Sequence, residues 1–75
     1  MSFDLPAPGP VSLKVYDVSG RLVQTLVNGE QLGDGVRHVV WTGLDDKGRR
    51  AAPGVYLVRI ETEDTLQSKR IVLVR

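Results

Sequence analysis

Val11-Ser12-Leu13-Lys14-Val15-Tyr16-Asp17-Val18-Ser19-Gly20-Arg21-Leu22-Val23 is the stretch that decides the fold of this chain. Val11, Leu13 and Val15 fall on one side of an extended backbone, and Ser12, Lys14 and Tyr16 on the other. That period of two marks a half-buried strand. Asp17 to Gly20 then reads as a turn, because an aspartate carboxylate bonds the backbone two residues on and glycine takes positive φ at no steric cost. Apolar residues resume between Arg21 and Val27, so residues 11–27 are expected to form a β-hairpin.

The same signals repeat outward from this hairpin. Towards the start, Ser2 to Leu5 suggest a short first strand ahead of Pro6-Ala7-Pro8-Gly9-Pro10, whose prolines suit a sheet edge or a connection. Towards the end, Asn28-Gly29 and Gly33-Asp34-Gly35 predict a longer loop, with Leu32 as an apolar pin. Val36 to Thr42 reads as a third long strand, with Arg37, Val39 and Trp41 sharing a face. Asp45-Asp46-Lys47-Gly48 is a second tight turn, and Arg49 to Ala52 a brief edge strand ended by Pro53-Gly54. Val55 to Thr62 alternates again, Asp64-Thr65 marks the last turn, and Lys69 to Arg75 closes the chain as a strand.

Six or seven short strands with turn signals roughly every 8–12 residues predict an all-β sandwich or small barrel. No gap between strands has room for the crossover helix that parallel pairing needs. Composition agrees: 12 Val, 2 Ile and 4 Thr are β-branched, against three Ala. Stiff β-branched side chains suit a pleated surface. The expected core is Leu13, Val15, Leu22 and Leu26 from the hairpin, Val39 and Trp41 from the third strand, and Tyr56, Val58, Ile60, Ile71 and Leu73 from the last two.

Length and charge narrow the function. The 75 residues make one small domain, 1–75, in which about 60% of the unfolded surface is buried. There is no cysteine, so neither a disulfide framework nor a cysteine zinc site supports it. Ten Lys and Arg against nine Asp and Glu leave +1, which speaks against a nucleic-acid footprint or a polybasic membrane anchor. No apolar run nears the ~20 residues of a membrane-spanning helix, and Met1 is followed by Ser-Phe-Asp-Leu with no basic-then-apolar export leader.

Catalytic patterns are missing. His38 is the single histidine, and no serine stands in a nucleophile-elbow setting. Asp45 and Asp46 beside Gly48 invite a calcium reading but lack EF-hand spacing, and turn chemistry accounts for them without an ion. Gly29, Gly33 and Gly35 precede neither a Lys-Ser/Thr pair nor a helix, so they form no phosphate cradle. Trp41 and Tyr56 share faces with core valines, which leaves Tyr16 as the outward-facing aromatic. The expectation is a non-enzyme without cofactor or metal. The remaining feature is Lys69-Arg70-Ile71-Val72-Leu73-Val74-Arg75, an apolar run with cations at both ends, as in a terminal strand protected against edge aggregation.

In order and spacing, the hairpin at 11–23, Trp41 within Gly35–Gly43, Asp45-Asp46-Lys47-Gly48-Arg49 and Gly54-Val55-Tyr56 resemble Ig-like domains of two kinds. One occurs in flagellar hook-capping proteins, the other in type IX secretion sorting domains. The run Lys69 to Arg75 looks like the ending of the sorting kind. The resemblance implies an Ig-like antiparallel sandwich of about seven strands, the C-terminal module of a larger secreted protein. As a sorting domain it would guide a passenger joined in cis through the periplasm to the surface of a Gram-negative bacterium, as a monomer that inserts in no membrane. Lys69, Arg70, Val72, Leu73 and Arg75 would be recognised by outer-membrane secretion machinery, and losing the last seven residues would abolish export without unfolding the rest. The alternative is a structural Ig-like spacer or assembly module, hook-cap-like or beside a secreted hydrolase.

Overall fold

The alternation of Val11, Leu13 and Val15 is realised in full. All three are completely buried on β2 (Gly9–Asp17), the strand at the centre of the molecule. The computed structural model describes residues 2–74 and contains five further strands: β1 (Ser2–Leu5), β3 (Leu22–Leu32), β4 (Gly35–His38), β5 (Gly54–Glu61) and β6 (Leu66–Leu73). Every pairing is antiparallel. One sheet has the order β3-β2-β5-β6 and the other pairs β1 with β4, giving an Ig-like sandwich with one broad and one narrow layer.

Between the layers lie Phe3 and Leu5 from β1, Val11, Leu13 and Val15 from β2, and Tyr56, Val58 and Ile60 from β5. Val23, Leu26, Val27, Leu32, Val39, Trp41, Ile71 and Leu73 pack around them, half-buried. β1 is only four residues long, yet it supplies two of the eight buried side chains. Each such side chain contributes about 1.5–3 kcal/mol, so the narrow sheet is a structural necessity.

Four expectations need correction. The hairpin does not end at Val27: β3 continues through Asn28-Gly29 to Leu32, where a loop was expected. It pairs irregularly with β2, and three register shifts interrupt the ladder. One step along β2, from Leu13 to Lys14, takes two along β3, from Val27 to Thr25. Each such bulge turns the following side chains to the opposite face. Asn28-Gly29 belongs to one of these shifts, with Gly29 at φ 64° and its amide donating to Ser12 Oγ at 3.1 Å.

The same slippage overturns Leu22 as a core residue. It pairs with outward-facing Tyr16 and is 47% exposed, because a bulge at Val23 separates it from Gln24. The third strand is shorter than its alternation suggests, since pairing with β1 stops at His38 opposite Ser2. Val39 and Trp41 still turn towards the interior beyond that point, on the same side as Arg37. Finally, Arg49–Ala52 is no strand but a single bridge, Arg50 opposite Leu44.

Candidate functional site

Two turns of one design meet at the end of the sandwich. In Asp17-Val18-Ser19-Gly20-Arg21, Asp17 Oδ1 accepts from the amides of Ser19 and Arg21, both at 3.0 Å, and from Ser19 Oγ at 2.6 Å. In Asp45-Asp46-Lys47-Gly48-Arg49, Asp45 Oδ1 accepts from the amides of Lys47 and Arg49, both at 2.9 Å. In each, the glycine amide donates to the aspartate carbonyl and the backbone takes positive φ, 89° at Gly20 and 78° at Gly48. The repeated Asp-x-x-Gly-Arg is thus a turn with an internal carboxylate acceptor. Donors around an ionised oxygen favour the charged form. Asp17 is held below the usual carboxylate pKa by the Ser19 hydroxyl and the Arg21 amide, and Asp45 chiefly by the Arg49 amide.

The second turn also closes a sheet edge. The Asp46 amide donates to the Val23 carbonyl at 2.9 Å, and Asp46 Oδ1 accepts from the Thr25 amide at 3.1 Å. One residue thereby takes the place of a neighbouring strand on β3. Beneath it, Trp41 and Tyr56 meet edge to face with centroids 4.9 Å apart. Trp41 Nε1 donates to the Leu44 carbonyl at 2.8 Å and the Tyr56 hydroxyl to the Ala52 carbonyl, so both aromatics hold the 43–52 segment against the core.

The residues singled out by sequence are dispersed. His38 is exposed at the end of β4. Among the described residues, no three His, Cys, Asp or Glu side chains gather to hold a metal ion. Tyr16 faces outward on β2 beneath the Arg59 guanidinium, whose carbon lies 5.0 Å from the ring centroid. The run from Lys69 divides between two faces of an edge strand, β6, which pairs with β5 from Leu66 to Leu73. Lys69 donates its Nζ to the Ser2 carbonyl at 3.1 Å, tying β6 to β1, and Leu73 packs on the core. Arg70 and Val72 face outward, and Arg75 lies outside the described residues.

A family model, the FlgD Ig-like domain, matches residues 1–65. The chain belongs to the FlgD Ig-like domain family. The crystal structure of FlgD from P. aeruginosa matches it with a TM-score of 0.72 at 29% identity, covering 96% of this chain and 57% of the FlgD chain. This FlgD-like domain thus spans little more than half of that chain. No curated protein matches it.

Of the two kinds of Ig-like domain that the motifs resemble, the family match selects the hook-capping kind and overturns the reading as a type IX sorting domain. That reading leaned on Lys69 to Arg75, which lies wholly beyond the matched residues 1–65. In this FlgD-like domain Ile71 and Leu73 take part in the packing, so the run belongs to the fold as well as to its surface. Sequence reasoning missed the role of Asp46. The repeated Asp-x-x-Gly-Arg was the available clue to a shared turn design, but nothing in sequence says that a loop side chain bonds an edge 21 residues away.

Proposed function

We propose that this domain is a non-catalytic structural module of a larger hook-capping protein, acting outside the cytoplasm by presenting sheet surfaces to protein neighbours. The family match over residues 1–65 carries this reading. The chemistry of the turns supports it: the Asp17 and Asp45 carboxylates are occupied by backbone amides, which suits shape-keeping better than proton transfer. The greater length of the P. aeruginosa FlgD chain supports a module within a longer protein.

The test is a transplant. Residues 1–75 replace the Ig-like domain in P. aeruginosa FlgD, and hooks are counted by electron microscopy in cells lacking their own FlgD. Hook growth with the transplant is the expected result. A chimera that is folded and present at normal level but leaves the cells without hooks would overturn the reading.

A further inference from the structure

The broad sheet has one face against the core and one towards solvent, and the solvent face of such a sheet is ordinarily polar. Here one end of it is not. Leu22, Tyr16 and Leu57 stand side by side on β3, β2 and β5, each opposite the next, and the row ends at Arg70 on β6. Val55 and Val72 form the adjacent pair, with Val72 62% exposed and Leu57 39% exposed. Contiguous apolar side chains rimmed by charge are characteristic of a contact surface.

The charges on this face name the contact. Lys14 and Arg59 are directly opposite each other on β2 and β5, an arrangement that disfavours the sheet. Arg59 lies over the Tyr16 ring, and Lys14, Arg59 and Arg70 make no ion pair among the described residues, where the one bridge is Arg49 to Asp45. Glu61 is the one acid on the same face of β2, β5 and β6; it shares a shallow hollow with Lys14 and Arg59 without forming an ion pair among the described residues, and it lies at the far end from Arg70. Three cations around an apolar row are complementary to carboxylates set among apolar side chains. A second copy of this chain is a poor occupant, since a two-fold contact would bring the same cations together. A nucleic acid would leave the apolar row without use.

We propose that the outward face of the broad sheet, centred on Tyr16 and Leu57 and flanked by Lys14, Arg59 and Arg70, docks a protein partner that presents acidic residues interspersed with apolar ones. This rests on the reading of the domain as an assembly module and specifies which surface does the assembling. The experiment is a nuclear magnetic resonance titration of isotope-labelled residues 1–75 with a synthetic peptide alternating Glu with Leu. Parallel titrations use a Lys-for-Glu peptide and a short single-stranded oligonucleotide. The expected result is shifts at Tyr16, Leu57, Arg59 and Val72 with the acidic peptide alone. Affinity should fall about tenfold in Lys14→Glu/Arg59→Glu and, as a second test on an exposed cation, in Arg70→Glu, each variant keeping a folded spectrum. Added salt should weaken binding. The proposal is overturned if the acidic peptide shifts nothing on this face, if the Lys peptide or the oligonucleotide binds equally well, or if folded charge-reversed variants bind unchanged. The titration does not depend on hook growth: an active transplant with a silent titration sinks this surface alone, whereas an inactive folded transplant sinks the assembly reading.

Discussion

Replacing Trp41 by phenylalanine separates two things the indole does at once. Trp41→Phe keeps a ring against Tyr56 but loses the Nε1 donor to Leu44, and should cost about 1 kcal/mol in urea unfolding. Trp41→Ala removes the ring as well and should cost about 3–5 kcal/mol. The turn aspartates act through charge. Both have pKa values lowered from 3.8 in the folded chain, so their contribution is full above that value and is lost as pH falls through the folded pKa. Asp17→Asn and Asp45→Asn should therefore lower stability at neutral pH and flatten its fall on the acid side of 3.8, measured as the urea midpoint against pH. A variant whose midpoint tracks pH like the parent would show that these carboxylates are not responsible.

At the scale of elements, Asp46 makes a testable demand. The Thr25 amide points out from an edge strand, yet it is bonded to Asp46 Oδ1. Thr25 should resist hydrogen exchange in the parent, exchange rapidly in Asp46→Ala, and regain protection in Asp46→Asn, which keeps an acceptor oxygen. Equal exchange in all three would dismiss the contact. This edge also marks how far a sequence can be read. β2 and β5 alternate strictly because each turns one face to the core and the other to solvent, so Leu13, Val15, Tyr56, Val58 and Ile60 were legible, while Val11 lies outside the expected core. The turns were legible from Asp and Gly alone. β3 was not, because its bulges change face within the strand and bring Val23, Leu26 and Val27 all to the core side while Leu22 turns out. Docking of Asp46 and of Lys69 on Ser2 depends on folding of distant segments and leaves no local pattern.

The whole molecule has little core to spare. A domain of this length has a stability of roughly 5–15 kcal/mol at most, and two buried side chains are a large part of it. Phe3 and Leu5 lie on a strand that looks dispensable in sequence, yet each is under a tenth exposed. Deleting residues 1–5 should abolish cooperative unfolding, as judged by loss of the thermal transition in circular dichroism. A stop after Ser68 should be as damaging, since it takes Ile71 and Leu73 from the packing. Survival of the fold in either case would mean that the core is smaller than its burial suggests.

The single side chain that closes β3 has a consequence for growth. A sheet with two open edges accepts one copy on each side and elongates without limit. Here one rim is stopped by Asp46 and spoiled by bulges, while β6 ends the row on the other. Copies meeting along the rims of the broad sheet would join β6 to β6, a symmetric pairing that uses up both of its open sides and closes on itself. At worst, then, copies of the broad sheet pair off along β6 rather than add on without limit.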